Sequence, residues 1–215
     1  MLCWFSVITR NNYPLSPTTT KKKGEGGSLV LFYENLEANF NFFDKLKNNE
    51  FSLLYLIGSD NLDFEGEMAV IMGEAGKHIA EKEALKHIVG YSCYNESTIR
   101  DWQRHTRQFG MGKNFEKTGS FRPHIVLSSD ISDYKKLSIQ TKLNGNVMQS
   151  AKLSQLIFDI PNLISYVSKA VPWRAGDVLV TGTPGGVGFK RKPPIFMKDG
   201  DKVEVELSEI GVLSN

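Results

Sequence analysis

Two glutamates, Glu65 and Glu67, stand two residues apart in LDFEGEMAVIMG, just where the chain turns apolar through Met68, Ala69, Val70, Ile71 and Met72. Alternate side chains of a strand share a face, so the pair would project together with roughly 6.5–7 Å between their carbons. Carboxylates so placed repel unless one keeps a proton or a cation lies between them. A hard divalent ion suits that place, because Mg2+ takes oxygen ligands at about 2.1 Å and usually keeps positions for water or substrate. A solvated strand face is the plain alternative. A second acidic strand end shifts the weight towards the ion. GYSCYNESTIRDWQ runs from an apolar strand into Asn95-Glu96, which makes Glu96 a candidate third oxygen ligand.

Further candidates follow along the chain. Arg100 and Gln103 are three residues apart, the spacing of neighbours on one helix face, and a guanidinium beside a metal suits an anionic carboxylate substrate. Lys113 in GMGKNF is a lone lysine, a type that ordinarily faces solvent. In VLVTGTPGGVGF a strand runs into a loop with Gly182, Gly185, Gly186 and Gly188. Such a loop can offer backbone N–H groups and the Thr183 hydroxyl to an anion. It can equally be a tight turn whose glycines serve backbone geometry. It is not a nucleotide-triphosphate loop, since no GK[ST] follows.

The elements that must hold these residues are mostly strands. Runs rich in Val, Ile, Leu and Tyr, bounded by Gly, Asp or Asn, predict strands over Phe64–Met72, Ile88–Tyr94, His124–Ser128, Ser138–Leu143, Val147–Ala151, Asp177–Thr181 and Lys202–Leu207. Asn144-Gly145 tolerate positive φ and predict a type I′ hairpin turn. Helices are expected over Ile79–Ile88 and after Asp159-Ile160-Pro161, where a capping acid precedes a proline. Strands with two interrupting helices favour a β-rich α+β fold, a mixed β-sandwich roll with a few short helices, over a doubly wound sheet. Residues 1–57 have an uneven composition, with a short strand expected at Ser28–Tyr33, and are expected to form an atypical arm. Residues 58–215 are expected to form the catalytic domain.

The bulk composition narrows the partners. The chain has 215 residues and a formal net charge of +2, which gives no field to steer it to nucleic acid or an anionic membrane. The run Thr20–Gly24 is a local basic stretch without the interleaved aromatics of a nucleic-acid surface. No apolar run nears the roughly 18 residues of a membrane span, and no signal-peptide pattern opens the chain. Cys3 and Cys93 form neither a CxxC pair nor a zinc spacing, usage that fits a reducing, cytoplasmic setting.

Taken in order, LDFEGEMAVIMG, GYSCYNESTIRDWQ, GKNF, LNGNVMQ, TGTPGGVG and GDKVEVELSEIGVLSN resemble the fumarylacetoacetate hydrolase family over about Gly58 to Asn215. The resemblance is closest to the acylpyruvate hydrolase and 2-hydroxyhepta-2,4-diene-1,7-dioate isomerase branches. It implies a β-roll, usually a homodimer, with a divalent metal, Mg2+ or Mn2+, held by three carboxylates. Glu65 and Glu67 match the first two ligands, and Glu96 stands at the third position, where many members have Asp. Arg100, Gln103, Lys113 and Thr183 match positions lining the substrate site. The family cleaves, decarboxylates or isomerises 2-oxo and 2,4-dioxo acids, small molecules that include intermediates of aromatic catabolism. Each reaction passes through an enolate whose charge a metal can take up and which Lys113 could stabilise from the other side. The family's hydrolases and decarboxylases commonly carry a His followed closely by a Glu on an N-terminal lid. Here no histidine precedes His78, so tautomerisation or decarboxylation fits better than hydrolysis, and a binding protein with little turnover is the other reading.

Overall fold

The computed structural model describes residues 6–8, 59–115 and 117–215. Among them are eleven strands: β1 (Ser6–Ile8), β2 (Leu62–Asp63), β3 (Gly66–Met72), β4 (Ile88–Glu96), β5 (Thr98–Ile99), β6 (Gly119–Leu127), β7 (Ser138–Leu143), β8 (Asn146–Lys152), β9 (Val178–Val180), β10 (Val203–Leu207) and β11 (Gly211–Ser214). Two α-helices accompany them, the single turn α1 (Arg100–Gln103) and the longer α2 (Ile160–Ala170).

The strands form a five-stranded sheet in the order β1-β9-β3-β4-β6, a four-stranded sheet β11-β10-β7-β8 and the small pair β2-β5. The β-rich α+β sandwich is as the sequence predicts, with one refinement. Every pairing among the described strands is antiparallel, so these sheets are not mixed in strand direction. One core joins the two large sheets. Met68, Val70 and Met72 of β3 and Tyr91 and Cys93 of β4 meet Ile139 of β7, Val205 and Leu207 of β10, Leu213 of β11, and Leu163, Ile164 and Val167 of α2. The opposite face of β3 is buried too, with Ala69 against Tyr94 and Val180. A strand covered on both faces reads as a continuous apolar run, which is the pattern after Glu67.

Local chemistry explains the elements. Asp159 caps α2 by accepting from the Asn162 N–H at 3.0 Å, with Pro161 in the first turn, where its missing N–H costs nothing. Asn144 and Gly145 take φ of 50° and 77°, as a type I′ hairpin requires. The helix expected over Ile79–Ile88 is instead a 3-10 segment, Glu81–His87. Ala84 is its one buried residue, so it has no apolar stripe to bury, and Ile88 pairs with Met72 at the start of β4. The strand expected from His124 begins five residues earlier, at Gly119, and contains Pro123. β6 lies at the edge of its sheet, where a proline leaves no ladder bond unmade. The short strands β2, β5 and β11 carry no periodicity that marks them in sequence. Of residues 1–57 only β1 is described, its backbone antiparallel to β9 with Ser6 opposite Val180. The strand expected at Ser28–Tyr33 and the basic run Thr20–Gly24 lie outside the described residues.

Candidate metal centre

The acidic residues meet where β3, β4 and the segment before β3 come together. Glu67 lies in β3 and Glu96 ends β4. Glu65 lies one residue ahead of β3, since the strand opens at Gly66 rather than at the expected Phe64. Pleating therefore does not place Glu65. Its N–H donates to Asn95 Oδ1 at 3.1 Å and its carbonyl accepts from the Glu96 N–H at 2.9 Å. The three side chains nonetheless converge, with one carboxylate oxygen of each within 4.8 Å of the others, all buried. They are the residues that the sequence singles out as ligands, in an arrangement able to hold a metal ion.

Two cations face this trio. Lys113 Nζ lies 2.6 Å from both Glu65 Oε2 and Glu96 Oε2. Arg100 reaches Glu65 Oε1 with Nη1 at 2.6 Å and Asp63 Oδ2 with Nε at 2.8 Å. Gln103 lies one turn from Arg100, as its spacing predicts, and accepts from Arg100 Nη1 at 3.0 Å. Arg100 Nη2 is buried and has no hydrogen-bond partner among the described residues. Lys113 approaches so closely because Gly112 allows it. A Cβ on Gly112 would lie 2.6 Å from Gln103 Cβ, Gln103 N and the Ile99 carbonyl, so only glycine lets the 3-10 turn Phe109–Lys113 press onto α1.

The electrostatics follow from burial. Desolvation, then the neighbouring charges of Glu96 and Glu65, push the Glu67 carboxyl well above its ordinary value, against the pull of Lys113 and the Gly182 N–H. Burial alone would lower Lys113, but Glu65, Glu96 and Glu67 outweigh it and hold the ammonium above its usual value. Counting Asp63, four carboxylates face two cations. With all six ionised, two negative charges are left over, the charge of one divalent cation.

The glycine-rich loop after β9 closes the other side. The Gly182 N–H donates to Glu67 Oε2 at 2.5 Å. Thr183 donates its hydroxyl proton to the Gly66 carbonyl at 3.0 Å and accepts from Gln149 Nε2 at 2.7 Å. The hydroxyl thus braces β3, and what it keeps for a ligand is an acceptor lone pair. Two residues of this region escape the sequence reading. Gln149, 1% exposed, accepts from the Gly66 N–H and donates to Thr183 and the Pro184 carbonyl, tying β8, β3 and the loop. Asp63 accepts from the Phe64, Gly188 and Phe189 N–H groups as well as Arg100. The only signal for either is position: Asp63 lies two residues before Glu65, and Gln149 lies in LNGNVMQ.

A sheet sandwich that buries three converging glutamates beside a lysine and an arginine defines a carboxylate site able to hold a metal ion. Comparison with known families makes the assignment specific. Residues 32–215 match the fumarylacetoacetate (FAA) hydrolase C-terminal family, and the chain belongs to the fumarylacetoacetate hydrolase family. It is 41% identical over 157 residues to oxaloacetate tautomerase YisK of Bacillus subtilis (strain 168), covering 73% of this chain and 52% of that protein. Human mitochondrial oxaloacetate tautomerase FAHD2A is 40% identical over 159 residues, covering 73% of this chain and 51% of that one. The chain thus spans about half the length of these curated relatives. Among solved structures, fumarylpyruvate hydrolase from Pseudomonas aeruginosa in complex with Mn2+ and pyruvate aligns with a TM-score of 0.69 and 28% identity, over 76% of this chain and 68% of that one. Among the described residues no helix is long and apolar enough to cross a membrane.

Proposed function

We propose that this chain binds Mg2+ or Mn2+ through Glu65, Glu67 and Glu96 and catalyses keto–enol tautomerisation of a small 2-oxo carboxylic acid. The observation that carries the reading is the meeting of three buried carboxylate oxygens within 4.8 Å. The excess charge of that centre, the donor set of oxygens alone, and the oxaloacetate tautomerases among the relatives support it. When bound, the ion supplies a Lewis acid for the oxygen on which enolate charge develops.

The chain's own residues supply the rest. Lys113, held charged by its acidic neighbours, presents a proton at Nζ to the developing enolate oxygen. Arg100 has one buried nitrogen without a partner among the described residues, and a substrate carboxylate would satisfy it. Gln103, bonded to the same guanidinium, fixes its orientation. Thr183 holds the loop against β3, so that its N–H groups, rather than its hydroxyl, are the donors left for an anion. Hydrolysis would ask for an activated water in addition. A cytoplasmic homodimer is the setting we propose.

The test is the rate at which enol-form oxaloacetate absorbance decays with purified protein, with Mn2+ or Mg2+ and with chelator. Metal-dependent acceleration supports the reading. A protein whose Tm rises with Mn2+ but which leaves the decay unchanged is instead a metal- and oxo-acid-binding member with little turnover. Absence of any metal effect on Tm refutes the ligand assignment itself.

A further inference from the structure

β9 stops pairing with β3 just where the acidic centre begins. Ala69 still faces Val180, and the Thr181 N–H donates to the Met68 carbonyl at 3.1 Å. The next residue, Gly182, takes a φ of 94° and turns its own N–H to Glu67 Oε2 instead. That turn gives a candidate ligand a backbone donor. It also leaves Gly66, two residues before Met68 and on the same edge of β3, without a strand partner there among the described residues. Gly66 is buried, so its N–H and carbonyl need partners from elsewhere.

Two side chains take the strand's place. The Gly66 N–H donates to Gln149 Oε1 at 3.0 Å, and the Gly66 carbonyl accepts from the Thr183 hydroxyl at 3.0 Å. Gln149 Nε2 donates to Thr183 Oγ1 at 2.7 Å, which closes a ring of hydrogen bonds through Gly66, Gln149 and Thr183. Nε2 also donates to the Pro184 carbonyl at 2.8 Å. The ring grips both peptide units that flank Gly66. The N–H belongs to the peptide from Glu65, and the carbonyl to the peptide leading into Glu67. Gly66 must stay bare for this, because a Cβ on it would fall 1.9 Å from Thr141 Oγ1. Thr141 of β7 faces Gln149 of β8, so the second sheet supplies both the floor under Gly66 and the amide that holds it.

We propose that Gln149 is a positioning residue for the ion. Its amide replaces the missing strand and fixes the directions in which Glu65 and Glu67 leave the backbone, acting on them only through Gly66 and Thr183. This rests on the metal reading above. The experiment is calorimetric titration of Mn2+ into the full chain, well below the Tm of each variant. Gln149→Met keeps the side chain's bulk without the amide, and should weaken Mn2+ binding about 10–100-fold, the effect of losing an outer partner of metal ligands. Thr183→Val breaks the same ring from a half-buried position and should weaken binding by a similar factor. Thr183→Ser keeps the hydroxyl and should bind within about twofold of wild type. Because both residues act through one ring, the double variant Gln149→Met/Thr183→Val should lose no more than the worse single variant, to within about twofold. Gln149→Met with a lower Tm in chelator but unchanged Mn2+ affinity would show that Gln149 only joins the sheets, and overturns the proposal. Losses that multiply in the double variant overturn it as well. If Gln149→Met does not fold, the two Thr183 variants carry the test, and equal Mn2+ affinity in both overturns the ring. A wild type that takes up no Mn2+ is a different failure. It removes the metal reading, and the positioning role with it.

Discussion

Replacing Glu67 by glutamine separates what this centre does for stability from what it does for ion binding. The substitution keeps the side chain's shape and an oxygen to accept the Gly182 N–H, but deletes one of three converging charges. With the carboxylate oxygens within 4.8 Å of one another, each ionised pair repels by about 3.5 kcal/mol or more at an effective dielectric constant of about 20. Glu67→Gln removes two such pairs and also the attraction of Glu67 to Lys113, which takes back part of the gain. Because a proton held by the raised Glu67 carboxyl relieves the same repulsion in wild type, we expect the metal-free variant to be more stable by at most about 1–3 kcal/mol, a rise in Tm of up to about 10 °C, with the gain growing as pH rises. Mn2+ should reverse the ranking. At a hundred times its Kd the ion stabilises wild type by about 2.7 kcal/mol, and the variant, with a neutral amide in the ligand set, should gain little. Thermal unfolding of both proteins in chelator and in a Mn2+ series measures this directly. A variant less stable than wild type in chelator would show that the three charges are not in conflict. A variant with the full Mn2+ shift would show that Glu67 does not ligate the ion.

Three further substitutions probe the supports of the site. Arg100→Met leaves Asp63 buried without its cation and Glu65 with Lys113 alone, and should lower stability by about 3–5 kcal/mol in urea unfolding. Gly112→Ala forces a methyl to within 2.6 Å of Gln103 and the Ile99 carbonyl. It should cost about 1–3 kcal/mol and displace Lys113, so that turnover in the proposed tautomerisation falls by more than Mn2+ affinity does. Burial pushes the Cys93 thiol up to about 11 from 9.0. The folded state therefore holds that proton more tightly than the unfolded chain, and the associated stability, about 2–3 kcal/mol, is complete below pH 9 and lost as pH rises to 11. Cys93→Val should unfold with a shallower pH dependence across that window, and equal slopes in the two proteins would refute the argument.

Much of the site was legible because its chemistry is concentrated in residue types that are costly to bury. Glu65, Glu67 and Glu96 stood out as acids at the mouths of apolar strands, and they converge. Their placement was less legible. Glu65 was expected to share a pleated face with Glu67, yet Glu65 precedes the strand and is aimed by Asn95 and the Glu96 backbone, contacts across thirty residues that no local pattern encodes. Lys113 shows the same limit. As a lone lysine it reads as solvated, and what buries it is the close approach that Gly112 permits. In the fold, the Asn144-Gly145 hairpin and the capped helix α2 are legible because their signals are local, while the start of Gly119–Leu127 is not, because Pro123 fits a strand at a sheet edge or a bulge, and both are properties of the assembled sheet.

The centre is built so that its stability and its ion affinity draw on the same charges. Arg100 and Lys113 each touch Glu65, and together they balance two of the four buried carboxylates, not all. Complete balance would need two more cations from the chain, and a protein so arranged would hold itself together without an ion and repel one. On the proposed reading, these two unbalanced charges are what a divalent cation would neutralise, and Glu67, buried beside β4 and the Gly182 N–H, has no water to do so in its place. Adding a cation at the rim of this centre, at a position that makes no hydrogen bond of its own, should therefore raise metal-free stability and weaken Mn2+ binding together. Thermal unfolding with and without Mn2+ would show whether the two quantities move in opposite directions, and a variant that improves both would refute the coupling.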